Sequence, residues 1–126
     1  MEINDLSYKI RGCIFNVYNK LGPGLLESIY EQALIIELKK QGLDVRNQVE
    51  LPIYYDNQKL PIALRLDLLV NDTIIIELKS VEELKPVYFK QLKTYLKLTN
   101  KRLGLLVNFN VNSIMKDAIF RIPNNL

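Results

Sequence analysis

Charged side chains project from two of the most apolar segments: Arg65 and Asp67 from Ile62–Val70, and Glu77 and Lys79 from Ile74–Lys79. Alternate residues of an extended chain face the same way. Ala63, Arg65, Asp67 and Leu69 therefore share one face of the first segment, and Leu64, Leu66, Leu68 and Val70 the other. In the second, Ile75, Glu77 and Lys79 oppose Ile74, Ile76 and Leu78. A buried carboxylate is costly unless it is paired or holds a cation. The turn between the segments decides whether these charges meet. A two-residue loop, Asn71-Asp72, pairs Asp67 with Ile76, whereas a three-residue loop, Asn71-Asp72-Thr73, sets Asp67 opposite Glu77 and Arg65 opposite Lys79. Opposed side chains lie about 5 Å apart at their β-carbons. The odd-length loop is the expected one, because only that register gives the buried charges a purpose. Two carboxylates that close repel each other and call for a counter-cation. Oxygen ligands without His or Cys select Mg²⁺ or Mn²⁺, and a lysine two residues further on can touch an anion that the metal holds. Salt bridges from Asp67 and Glu77 to Arg65 and Lys79 on a partly exposed sheet face account for the same spacing, and the spacing alone does not choose.

Composition narrows the chemistry further. The 126 residues include no histidine, which excludes His-based triads, His metal ligands and a His general base. The one cysteine, Cys13, can form neither an internal disulfide nor a Cys-cluster zinc site. Carboxylates, lysines, tyrosines and a hard oxygen-bound cation remain. No apolar run approaches the ~20 residues of a membrane span, and the N-terminal stretch MEINDLSYKIRG lacks a signal-peptide core. A cytoplasmic protein without disulfides, with no membrane partner, is expected. The net charge of +3, from 17 Lys and Arg against 14 Asp and Glu, is compatible with a polyanion partner without demanding one.

The elements that must position these residues follow from periodicity. Leu6, Ile10, Cys13, Ile14, Val17 and Leu21 recur at helical spacing, predicting a helix from about Asn4 or Asp5, either of which can cap it, to Leu21. Gly22-Pro23-Gly24 stops it, and a second helix runs from about Leu25 to Gln41, with Leu26, Tyr30, Ala33, Leu34 and Leu38 inward and Gly42 closing it. Val45, Val49, Leu51 and Ile53 read as an extended stretch in which Pro52 marks an edge. Asp56-Asn57 is a turn. Ile74-Ile75-Ile76, apolar on both faces, marks a central strand. A third helix from Pro86 to about Thr99 leads into a buried strand, Leu103–Asn108, parallel to its neighbour, and Ser113–Phe120 is expected as a short helix. The order α-α-β-β-β-β-α-β-α over one domain, residues 1–126, makes an α/β fold with a mixed central sheet flanked by helices.

Four motifs now align in order. Arg65-Leu66-Asp67, nine residues, then Glu77-Leu78-Lys79 resembles the bipartite signature of the PD-(D/E)XK nuclease superfamily, with Leu66 where the name has proline. Gln91-Leu92-Lys93-Thr94-Tyr95 looks like the Q-x-x-x-Y motif of its RecB-like branch. Gly24-Leu25-Leu26-Glu27-Ser28-Ile29-Tyr30 resembles the motif that names the GxxExxY protein family. The Glu31…Ala33-Leu34…Glu37-Leu38 continuation and the Gly104–Phe109 strand also match that family, so the resemblance runs from about Tyr8 to Arg121.

That resemblance implies a restriction-endonuclease-like three-layer fold and a Mg²⁺- or Mn²⁺-dependent nuclease acting on nucleic acid, in the first place DNA. It implies Asp67, Glu77 and the Leu78 carbonyl as metal ligands, Lys79 as stabiliser of the transition state or orienter of water, and Glu27 as holder of a metal-bound water or second ion. Gln91 and Tyr95 would complete the site's wall. The physical chemistry agrees: a bound metal acidifies water and neutralises a phosphorane, lysine adds charge at the same oxygen, and without histidine a carboxylate or lysine accepts the proton. Gln91 and Tyr95, four apart, share one strip of the third helix.

Blander readings stand beside these. Glu27 in a first helical turn complements the dipole, Tyr95 and Tyr30 can be packing residues, and Gln91 can be a surface glutamine. Glu37 reads as a structural ion pair, Cys13 as core, and Lys90, Lys93, Lys97 and Lys101 as a solvated stripe. A non-catalytic nuclease-fold module that binds nucleic acid or a protein is the alternative function, and an ion-paired structural dimer a third. Superfamily members that cut both strands are commonly dimers, which leaves a homodimer open.

Overall fold

The computed structural model describes residues 1–113 and 118–126. Its elements run α1 (Ile3–Leu21), α2 (Glu27–Lys40), β1 (Val45–Tyr55), β2 (Gln58–Val70), β3 (Ile74–Lys79), α3 (Pro86–Thr99), β4 (Leu103–Asn108) and β5 (Ile119–Pro123). The five strands form one sheet in sequence order. β1, β2 and β3 are antiparallel neighbours, β3 and β4 are parallel, and β5 is antiparallel to β4. The parallel pair requires a crossover, and α3 supplies it.

Helices cover both faces. Leu6, Ile10, Ile14 and Val17 of α1 and Tyr30, Leu34 and Leu38 of α2 pack with Leu68, Val70, Ile74, Ile76 and Leu78 on one side. On the other side Leu92 and Leu96 of α3 pack with Leu66, Leu69, Ile75 and Leu106. The Ile74-Ile75-Ile76 run is buried on both faces, as a central strand requires. This is the α/β architecture with a mixed central sheet that the sequence predicts.

Helix α3 lies close on β4 because Gly104 has no side chain: a β-carbon there would sit 2.9 Å from Leu92 Cδ1. Leu92 is fully buried and has nowhere to retreat. Gly104→Ala is expected to destabilise the fold by about 1–3 kcal/mol through overpacking. A urea melt with an unchanged m-value and a lower midpoint would register it; an unchanged midpoint would show that α3 can shift freely.

Several boundaries differ from expectation. Glu2, not Asn4 or Asp5, occupies the α1 N-cap position, without a side-chain cap. Asn4 instead accepts a hydrogen bond from Arg121 of β5, a tertiary contact that outcompetes a local one. The stretch around Pro52 is one edge strand with a register shift between Pro52 and Tyr54, so three strands rather than four precede α3. Proline cannot donate to the ladder, and here it produces an irregularity instead of a strand end. The type I′-like pair Asp56-Asn57, both at positive φ, closes a hairpin whose second strand starts at Gln58, ahead of the expected Ile62. The expected helix over Ser113–Phe120 lies partly outside the described residues. Ile119 and Phe120 belong to β5, where Phe120 meets Phe89 edge-on at 5.3 Å. A short apolar run does not distinguish strand from helix by period.

Candidate active site

The β2–β3 turn has three residues. Val70, Leu69 and Leu68 pair with Ile74, Ile75 and Ile76. Asn71 and Asp72 both adopt φ of 51°, a left-handed conformation that Asn and Asp tolerate best after glycine. The Thr73 amide closes the turn on the Val70 carbonyl at 2.9 Å. The register that directs Asp67 toward Glu77 therefore has a local cause in Asn71-Asp72-Thr73.

The backbone ladder between β2 and β3 ends at Leu68–Ile76, and the two carboxylates take its place. The Asp67 N–H donates to Glu77 Oε2 at 2.7 Å, and the Leu78 N–H donates to Asp67 Oδ2 at 2.8 Å. Each acid is thereby pinned by the strand of the other, at a fork where the strands part. Arg65, which that register sets opposite Lys79, cannot pair with a second cation. It pairs instead with Glu50 across β1 at 3.3 Å, on an exposed surface where such a bridge contributes little.

Strict alternation also fails at this fork. Leu68 and Val70 face α1 and α2, but Leu66 joins Leu69 on the α3 side. On β1, Gln48 stands between the residues that pair with Leu66 and Leu68, and it adopts φ of 50°. A non-glycine residue in this region is uncommon. Its side chain is put to use: Gln48 Nε2 donates to Glu31 Oε1 at 2.7 Å.

Helix α2 brings the remaining acids. Gly22 and Gly24 have φ of 69° and 95°, which lets the chain turn sharply between α1 and α2. Tyr30 then locks this loop. Its hydroxyl donates to the Gly22 carbonyl at 2.6 Å and accepts from the Leu25 N–H at 3.1 Å, while its ring stacks on Phe109 at 4.3 Å. Tyr30 is thus a packing and loop-holding residue and bonds to no site carboxylate. Glu27 opens α2 and Glu31 follows one turn later. Together with Ser28, Gln48, Asp67 and Leu78 they line a pocket of about 140 Å³. Glu31 is buried, and Glu27 is exposed at the rim.

Electrostatics mark this corner. Burial holds the Asp67 carboxyl above its ordinary range, and the Glu31 and Glu27 charges add to that; the Leu78 N–H and Lys79 pull the other way. Burial followed by the Asp67 charge pushes Glu77 up to about 8. Burial, then the two carboxylates, raises the Tyr95 hydroxyl, which places that residue of α3 within their field. None of the ion pairs among the described residues involves Asp67, Glu77 or Lys79. Lys79 instead extends its ammonium over the Tyr88 ring, 4.4 Å from the centroid. The salt-bridged account of these charges does not describe the molecule.

The chain leaving Lys79 is fixed from two sides. Ser80 Oγ donates to the Leu25 carbonyl at 2.6 Å, tying β3 to the loop before Glu27. The buried Asn108 amide accepts from the Val81 N–H at 3.1 Å and donates to the Val81 carbonyl at 2.9 Å. Both links hold backbone that carries candidate site residues.

Asp67, Glu77, Leu78, Lys79, Glu27 and Tyr95 thus gather at one end of the sheet. Gln91 does not join them in the same sense: it is exposed, one turn before Tyr95, and makes no side-chain hydrogen bond among the described residues. Sequence reasoning missed Glu31 and Gln48. The four-residue spacing of Glu27 and Glu31, which sets both on one helical face, was a usable signal. Nothing local marked Gln48. Elsewhere Glu37 pairs with Lys20 at 2.9 Å, which lowers its carboxyl, and Cys13 is core. Lys90, Lys93 and Lys97 are exposed, while Lys101 pairs with Asp72 at 3.2 Å.

A metal fits the chemistry of this corner. Every donor is an oxygen, and the acidic charge in and beside the pocket has no basic partner at ion-pair distance among the described residues. No three acidic or cysteine side chains among those residues stand close enough to enclose an ion unaided.

A comparison with curated proteins gives no match. Among solved structures, the crystal structure of SSO0001 is similar, with a TM-score of 0.58 and 27% identity. The match covers 79% of this chain and 50% of that one, so the chain spans about half the length of that relative. No helix among the described residues is long and apolar enough to cross a membrane. The family model of the PD-(D/E)XK nuclease superfamily matches residues 4–122. With the carboxylate fork, the lysine two residues beyond it and the mixed sheet that carries them, the chain belongs to the PD-(D/E)XK nuclease superfamily.

Proposed function

We propose that this protein is a Mg²⁺- or Mn²⁺-dependent nuclease that hydrolyses phosphodiester bonds of DNA. The observation that carries the reading is a half-buried pair of carboxylates at a strand fork, beside a lysine two residues on, with no ion pair to any of the three among the described residues. Structural acids of that kind are ordinarily neutralised by Arg or Lys. Here the compensating charge is left to a ligand.

Asp67, Glu77 and the Leu78 carbonyl would hold the ion, with Glu27 and Glu31 receiving water at the edge of the pocket. When bound, the metal supplies an acidified water and Lewis-acid contact to the phosphate. Lys79 steadies charge developing on the phosphate oxygens, and Tyr88 keeps its ammonium aimed without neutralising it. Glu31, bonded to Gln48, and Glu27 are the carboxylates placed to accept a proton from attacking water. Tyr95 stands beside the carboxylates as part of the wall, and Gln91 extends that wall toward solvent. A single domain in the cytoplasm, as a monomer or homodimer, is the expected setting, and the GxxExxY family of the RecB-like branch the expected subgroup.

The test is cleavage of labelled single-stranded, duplex and branched DNA, and of RNA, with Mg²⁺, Mn²⁺ or EDTA. Metal-dependent cutting of DNA is expected. Absence of cutting on every substrate, with no metal-induced rise in melting temperature, would replace the enzyme by a non-catalytic module that binds nucleic acid or a protein.

A further inference from the structure

A second cleft lies beside the acidic pocket and differs from it in chemistry. It measures about 380 Å³ and is lined by Gly24, Leu25, Leu26, Ile29, Ser80 and Asn110. That size falls in the ~300–1,000 Å³ range of clefts that take small organic groups. No charged residue lines it. Leu26 is 71% exposed and Ile29 42%, so two large apolar side chains form its lip in water.

Chain connectivity ties the cleft to the site. Leu26 precedes Glu27, and Ser80 follows Lys79. The Ser80–Leu25 hydrogen bond joins these two walls at 2.6 Å, so the cleft and the candidate site share one rigid seam. Glu27 and Glu31 turn toward the acidic pocket, while Ile29 lies on the other flank of the same helical turn.

A polynucleotide strand alternates an anionic phosphate with a neutral, flat, apolar-faced base. The protein surface alternates in the same way: Lys79 and a metal-seeking acid pair for the phosphate, then a neutral apolar cleft. We infer that this cleft receives an unpaired nucleobase of the substrate strand, next to the phosphate at the carboxylate fork, with Leu26 and Ile29 against the base face. The inference rests on the nuclease reading for the choice of ligand. A base inside a duplex cannot present its face in this manner, so unpaired DNA is the favoured substrate.

The experiment measures anisotropy of a labelled single-stranded dodecamer in Mg²⁺, with cleavage followed in parallel. It compares the wild type with Leu26→Ala/Ile29→Ala, on the intact strand and on a series in which each nucleotide in turn is abasic. One abasic position is expected to weaken wild-type binding about fivefold, the effect of returning about 40 Å² of apolar surface to water. The double variant should bind the intact strand with the same loss and show no further loss at that abasic position. Equal wild-type affinity across the abasic series, or no binding at all, overturns the inference without recourse to the variant. Losses by the variant that are undiminished at every abasic position overturn it as well. Base-dependent binding without metal-dependent cutting keeps the cleft and overturns catalysis, whereas cutting without base dependence does the reverse.

Discussion

Lys79→Ala and Asp67→Ala are each expected to lower metal-dependent cleavage by at least about 10²–10³-fold, the effect of removing a charge-stabilising group from a reacting centre. The two losses should differ in kind. In the proposed mechanism Lys79 would donate to substrate, so its variant is expected to keep any rise in melting temperature that Mg²⁺ or Mn²⁺ produces in the wild type. Asp67 is a metal ligand in the proposed mechanism, so its variant is expected to lose that rise together with activity, because a ligand stabilises only the state that binds it. The comparison uses cleavage rates and thermal melts with and without metal. Full activity in Lys79→Ala would remove the lysine from the chemistry. An unchanged metal-induced shift in Asp67→Ala would move the ion elsewhere.

Without metal, the melting temperature is expected to fall as pH rises from about 5 to 9, and Glu77→Gln is expected to cancel most of that fall. The unfolded glutamate titrates near 4.5 and the folded one near 8, so between these values the native state holds the proton more tightly. Stability contributed by this group is complete below pH 4.5 and lost as pH passes 8. Asp67 shifts in the same direction and adds to the effect. At 1.36 kcal/mol per pKa unit the full loss is on the order of a few kcal/mol, a drop in melting temperature of roughly 10 °C. A glutamine oxygen can still accept the Asp67 N–H that Glu77 accepts, so the substitution removes charge while keeping the bond. Mg²⁺ must displace the proton from the pair, so its stabilising effect in the wild type should be larger at pH 8 than at pH 5.5. Glu77→Gln should abolish that increment while raising the metal-free melting temperature at pH 8. A flat pH profile in the wild type would show that the fork admits enough water to ionise both carboxyls freely.

The two results probe one device. Asp67 and Glu77 replace a rung of the sheet, and their backbone donors hold them at a place where neither charge is comfortable. With no counter-charge among the described residues, the acids are expected to weaken the metal-free fold as they ionise, and in the proposed mechanism the same charges would draw a cation, so the stability deficit and the binding capacity would have one cause.

What could be read in the chain were features with short-range causes. Helical repeats placed α1, α2 and α3, the triple isoleucine marked the central strand, and Asn71-Asp72-Thr73 set the register that brings Asp67 toward Glu77. Periodicity reports which face is buried, and left-handed turns favour few residue types, so both are local signals. Ile119–Pro123 escaped because its strand exists by pairing with β4, a partner in space. Glu31 could have been found from its spacing to Glu27, but its hydrogen bond to Gln48 needs a β1 residue at positive φ that no neighbouring sequence demands. Arg65 found its partner in Glu50, the β1 residue that the strand register sets directly opposite it. The sequence by itself determined which residues are candidates for the chemistry and on which elements they ride. Only the tertiary structure decided their partners, because burial, strand divergence and the presence or absence of a counter-charge are set by segments far apart in the chain.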